Sequence, residues 1–268
     1  FMPQGAAGHF SIKVFEDEKA LGESFFNAGS KASMEIAAPS FGRKHSYAAE
    51  ISDGARKPWR VGLPSLNRFA ITKSPVAFDL ANGVPSEGSV KGEFDIPSGT
   101  LWLSWNAKGL VLKLEMRDKW LVLPEKPETM FNCDSLQLGF SVDRSDMIHP
   151  NNDGIQETLY SEFGIMPAEG GSCKSWVWAS SNRNLAELSA PMPGFEGTWT
   201  RKDEITTYNA LIPWTSLNVK SPMPGLKLKF SLLVNDADAS KQRHWLEWYS
   251  GVANGKDPSL YGDAILAE

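Results

Sequence analysis

Apolar and polar residues alternate with a period of two along much of the chain, most cleanly between Gly99 and Asp143. Leu110, Leu112, Leu114 and Met116 alternate with Val111, Lys113, Glu115 and Arg117. Leu136, Leu138, Phe140 and Val142 alternate with Ser135, Gln137, Gly139 and Ser141. One apolar face per segment predicts strands that bury one side of a sheet. A slip of one residue would turn that face outward, so the pattern specifies register as well as strand. Between Trp105 and Leu110, Asn106-Ala-Lys-Gly109 carries turn chemistry and predicts a hairpin.

The same reading extends along the chain. Phe10–Val14, Ser33–Ile36, Tyr47–Ile51 and Trp59–Leu63 read as short strands in a first segment, 1–70, whose role the sequence does not reveal. Ile71–Asp79 reads as an entry strand followed by a glycine-rich loop. Lys119 to Asn132, with two prolines, reads as a loop. Thr158–Met166 predicts a strand with Leu159, Phe163 and Ile165 on one face. In Ser175–Ala179, Trp176 and Trp178 share a face opposite Val177, and two such tryptophans are expected in the core. Thr206–Ile212, Lys227–Val234, His244–Tyr249 and Tyr261–Leu266 alternate again, with Trp245, Glu247 and Tyr249 together against Leu246 and Trp248. Pro213 stops its strand. No segment carries a helical period. The fold expected is all-β, an antiparallel, jelly-roll-like β-sandwich over 71–268, with a small N-terminal β segment.

Composition narrows the function. The 268 residues carry a net charge of −5 and no basic stripe, so nucleic acid is not an expected partner. No apolar run is long enough to cross a membrane, and a monomer is expected. The opening Phe1-Met-Pro-Gln-Gly lacks a signal-peptide pattern and reads as a trimmed start. Cys133 and Cys173 read as two unpaired, partly buried thiols, with a disulfide as the alternative. No ligand spacing for zinc is present. Ten tryptophans are many. They fill cores, and they also make flat platforms for sugars. Trp105, Trp214 and Trp248, each on an alternating strand or strand end, are assigned to the core.

Residues 143–157 form a turn-prone, oxygen-rich stretch. Asp143, Asp146, Asn151 and Asp153 offer the hard oxygens that Ca²⁺ takes, six to eight at a time, although the spacing is not that of an EF-hand. A solvated loop explains the same composition.

Five short motifs in order resemble the family 9 carbohydrate-binding modules and, more loosely, the DOMON-like sandwiches, over about 71–268. They are the hairpin Trp105–Asp118, Asp134-Ser-Leu-Gln-Leu138, Tyr208-Asn-Ala-Leu-Ile-Pro-Trp214, Val234-Asn-Asp-Ala-Asp238 with Gln242-Arg243 and Trp248, and Asp257-Pro-Ser-Leu-Tyr-Gly262. The resemblance implies a calcium-supported β-sandwich that binds a glycan or polysaccharide. Such a module is usually appended to a secreted polysaccharide-degrading enzyme, which points to a secreted, periplasmic or cell-surface location. In that family two tryptophans sandwich a terminal sugar. Here their places hold Phe131 and Gly255, an acidic position holds Gln137, and an arginine is replaced near Gly164. The ligand-binding set expected is Phe131, Trp120, Gln137, Arg243 and Asn254, an exposed aromatic flanked by amides and a guanidinium. No catalytic residue is assigned.

Two other readings stay open. A sandwich that has lost its sugar site would serve structure or interaction. A glycan-active enzyme would need two carboxylates across a cleft, and Asp118, Asp134, Asp236 and Glu162 could supply them. The same residues are also explained as calcium ligands or as strand-end groups bonding to backbone.

Overall fold

The computed structural model describes residues 9–27, 46–63, 68–82, 84–85, 98–142, 160–180, 188–238, 243–253 and 256–268. The expected strand Ser33–Ile36, the 143–157 loop, Leu159, Asn254 and Gly255 lie outside the described residues. The chain divides into two compact units, with Asn67 the last residue of the first and Arg68 opening the main run of the second.

The first unit is one antiparallel sheet built from β1 (His9–Glu16), β2 (Lys19–Asn27), β3 (Tyr47–Ser52) and β4 (Trp59–Leu63), in the order β2-β1-β3-β4. Phe10, Val14, Tyr47 and Ala49 make its buried face. Three of these strands follow the sequence pattern and β2 does not. No residue of β2 is buried, and Gly22 stands opposite Val14 next to a bulge, so its period is broken. What makes the strand is its turn. Asp17 and Glu18 both take positive φ, +46° and +68°, as a two-residue hairpin turn requires.

The second unit is a sandwich. Its smaller sheet runs β13 (Glu196–Lys202), β14 (Ile205–Pro213), β9 (Gly109–Arg117), β8 (Ser98–Trp105), β6 (Val76–Asp79). Its larger sheet runs β12 (Cys173–Ala179), β11 (Ser161–Pro167), β10 (Ser135–Val142), β15 (Lys227–Ala237). The first half of β15 then pairs with β17 (Gly262–Leu266), which pairs with β5 (Phe69–Ile71). Its second half pairs with β16 (Arg243–Trp248), which pairs with β7 (Val84–Pro85). Among the described residues every pairing is antiparallel except β5 with β17.

The hairpin forms where the sequence places it. The Asn106 side-chain oxygen accepts the N–H groups of Lys108 and Gly109, which fixes the turn between β8 and β9. The alternating apolar sets of β9, β10, β14 and β15 meet between the sheets, buried except for the half-buried Val142 at the end of β10. Trp105, Trp214 and Trp248 are all in this core. Each buried leucine stabilises the fold by about 1.5–3 kcal/mol.

The structure departs from the pattern in four places. Thr72–Pro75 interrupts Ile71–Asp79, whose halves join different sheets. In β12 it is Val177, 0% exposed, that faces the core, so Trp176 and Trp178 lie on the outer face of the larger sheet. Tyr249 takes a φ of +60°, leaves the alternation and turns inward to stack on Phe69. Finally, β10 and β11 are buried on both faces, because segments above the larger sheet cover its polar side. Leu233, Val252 and Tyr261 form a second small core there. Cys133 and Cys173 are free thiols, and burial pushes the Cys173 thiol up to about 12, far from the reactive range.

Candidate functional site

Two constellations of polar groups stand at the same end of the larger sheet. The first lies on the outer face, on residues of one parity. Gln137 of β10 is flanked by Gly164 of β11 and Leu233 of β15, and Ser135 is opposite Asn235, which is opposite Trp245 of β16. Gly164 matters because it has no side chain. A Cβ there would lie 2.4 Å from the Met130 sulfur and 2.6 Å from Cη2 of Trp178. The missing side chain lets Trp178 lie across the strand toward Phe131, with the rings edge to face at 6.3 Å.

Phe131 sits on the 3₁₀ turn Pro127–Asn132, just before β10. The Arg243 guanidinium lies 5.6 Å from its ring centre and 4.9 Å from that of Trp245. Its Nε and Nη2 donate to the Asn235 side-chain oxygen at 3.3 and 2.9 Å. Gln137 donates to the same oxygen at 3.5 Å, and Asn235 in turn donates to the Ser135 hydroxyl. Three of the expected ligand residues therefore meet here, Gln137 and Arg243 on the Asn235 side-chain oxygen and Phe131 against the Arg243 guanidinium. Gln137 is only 4% exposed, so it supports Asn235 from beneath. Trp120 is 46% exposed but stands apart, its backbone N–H held by Asp118, and it makes none of these contacts. Trp178, Trp245 and Asn235 complete the group and were not expected in it. Their parity on β12, β16 and β15 was the available signal.

Farther along the same face, two buried carboxylates are already committed. Glu247 accepts the N–H groups of Val252 and Ala253, and Glu162 pairs with Lys256.

The second constellation caps the core between the two sheets. Asp118, Asp134 and Asp236 each occupy the inward-facing position just past the apolar series of β9, before that of β10 and after that of β15. Their carboxylate oxygens lie within 4.8 Å of one another. They line a cavity of about 20 Å³ together with Met116, Thr206, Tyr208, Val234 and Asn235. Asp134 accepts the N–H groups of Val122 and Ala237. Arg201 donates to the Asp118 carbonyl and lies 3.6 Å from its carboxylate.

Removal from water raises all three carboxyls; repulsion from Asp118 adds to it at Asp134, and repulsion from Asp118, Asp134 and Asp238 adds to it at Asp236. Asp134 is pushed up to about 7 and Asp236 to about 8. Fully ionised, three carboxylates and one guanidinium leave a charge of −2 in a space the size of one ion or water. An all-oxygen donor set with that charge fits Ca²⁺. Of the four strand-end carboxylates read from the sequence, the structure gathers three and leaves Glu162 on the outer face. The oxygen-rich loop with Asp143, Asp146, Asn151 and Asp153 lies outside the described residues.

No family model matches the sequence, and no curated protein matches it. Solved structures do. A carbohydrate binding module of family 9 from Caldicellulosiruptor kristjanssonii, in complex with cellotriose, aligns with a TM-score of 0.51 at 18% identity, covering 75% of this chain and 93% of that one. A family 9 module from the same organism in complex with glucose aligns with a TM-score of 0.50 at 17% identity, covering 74% and 95%. With its two largely antiparallel sheets and their shared core, the sandwich of this chain has the fold of a family 9 carbohydrate-binding module.

Proposed function

We propose that the sandwich is a non-catalytic carbohydrate-binding module, and that its site is the outer-face cluster of Phe131, Trp178, Asn235, Arg243 and Trp245. The observation that carries this reading is the meeting of three aromatic rings and a guanidinium over a hydrogen-bonded amide. Sugars present C–H faces to rings and hydroxyls to amides and guanidinium groups. The solved structures with this fold hold cellotriose and glucose, which supports the same class of ligand. The three clustered aspartates do not favour glycoside hydrolysis, since a 20 Å³ cavity does not admit a sugar ring.

Calcium is the second part of the proposal, held by Asp118, Asp134 and Asp236. Bound there, the ion would supply charge compensation and tie the ends of β9, β10 and β15 across the two sheets. Polysaccharides lie outside cells, so this reading goes with a secreted, periplasmic or cell-surface protein.

A glycan array probed with the whole chain in calcium tests the function. We expect saccharide binding that falls about tenfold or more in Phe131→Ala and Trp178→Ala. Silence across the array at millimolar ligand would overturn the reading and leave a sandwich devoted to structure or interaction.

A further inference from the structure

The Arg243 guanidinium carries a positive charge that no carboxylate among the described residues compensates. It is half-buried, and its side-chain contacts are Asn235, Phe131 and Trp245. Of the five N–H donors of a guanidinium, Nε and one on Nη2 are spent on a neutral amide oxygen. The two on Nη1 and the second on Nη2 remain.

Buried or half-buried charges ordinarily find an opposite charge. Here two buried carboxylates on the same face are committed elsewhere, Glu247 to backbone N–H groups and Glu162 to Lys256. The arginine is also held in place. Two rings flank it, and Asn235 is itself anchored by Gln137 and Ser135. A rigid guanidinium fork with spare donors, in an aromatic setting low in water, is a receptor for an oxyanion. Neutral hydroxyls would leave the charge uncompensated.

Building on the carbohydrate-binding reading, we infer that the glycan recognised is anionic, and that Arg243 receives its carboxylate or sulfate ester while the neighbouring rings take the sugar face. The aromatic and charged contacts then act on one residue of the chain, and the surrounding neutral sugars add little selectivity.

The test is calorimetric titration of the whole protein with trigalacturonic acid, a sulfated trisaccharide and cellotriose, at low and high salt. We expect at least one acidic ligand to bind about tenfold more tightly than cellotriose at low salt, the gap closing as salt rises. A preference for the uronate identifies a carboxylate as the partner, and a preference for the sulfated sugar identifies a sulfate. Arg243→Gln should erase the gap. Because Arg243 also props Asn235, Arg243→Lys is measured beside it. It keeps the charge and loses the fork, and should narrow the gap. Cellotriose binding at least as tight as both acidic ligands would overturn the anionic assignment and leave the carbohydrate reading intact. A gap that persists unchanged in both variants would overturn it as well. Binding of none of the three would overturn both.

Discussion

Three aspartates at the end of a hydrophobic core set the pH response of the molecule. Asp134 and Asp236 hold their protons up to about 7 and 8, whereas in the unfolded chain they release them near 3.8. Between those values the native state binds more protons, so stability is greatest in mild acid and falls as pH rises. In chelator, the melting temperature should drop by several degrees between about pH 5 and about pH 8. Calcium should reverse the trend, because its ligands must be deprotonated. Asp236→Asn should flatten the slope in chelator and remove the response to calcium, both read by thermal melts. A second prediction concerns Gly164. Gly164→Ala must displace both the Met130 sulfur and the Trp178 ring, and should cost about 1–3 kcal/mol in urea unfolding. The triad was legible in the sequence only in part. Each aspartate continues an alternating apolar series by one inward step, but nothing local reveals that three steps at the ends of three different strands, one of them more than a hundred residues from the other two, end at the same point. Trp176 and Trp178 show the converse. Their parity was readable and the side they face was not, because a strand with two large rings on one side and Val177 on the other offers the core two choices. Gly164 decides, by leaving room on the outside.

At the scale of elements, strands with one apolar face were readable and strands covered on both faces were not. The pattern of β10 gave its register, yet its polar side is also buried, since cover comes from the segment around Val252 and Tyr261, distant in sequence. The β2 strand was not legible because a positive-φ turn makes it, not an apolar face. Glu247 holds the covering segment by accepting two N–H groups. Glu247→Gln should keep the shape and weaken those bonds, with a cost of about 1 kcal/mol and faster amide exchange at Val252 and Ala253. The entry strand has its own consequence. Phe69 is buried against Phe78, Trp248 and Tyr249. A fragment starting at Arg68 should therefore melt cooperatively by calorimetry, and one starting at Ile71 should lose about 3–5 kcal/mol, the scale of deleting a buried phenylalanine side chain.

On the scale of the whole molecule, the sandwich closes on itself through β5 and β17, the first and last strands of the unit. Ala264, Ile265 and Leu266 lie opposite Phe69, Ala70 and Ile71, and the Ala267 N–H reaches the Ile71 carbonyl. The Trp105 indole N–H donates to the Ala267 carbonyl, and Lys73 pairs with Glu268. Because this pair is parallel, tension applied at Arg68 and Glu268 pulls the two strands past each other along their length. Their hydrogen bonds then bear the load together and do not open one at a time. Loaded from these two ends, the unit resists like a lap joint. In single-molecule pulling it should give way at a distinctly higher force from these two ends than when gripped across the β8–β9 hairpin, where bonds unzip in sequence.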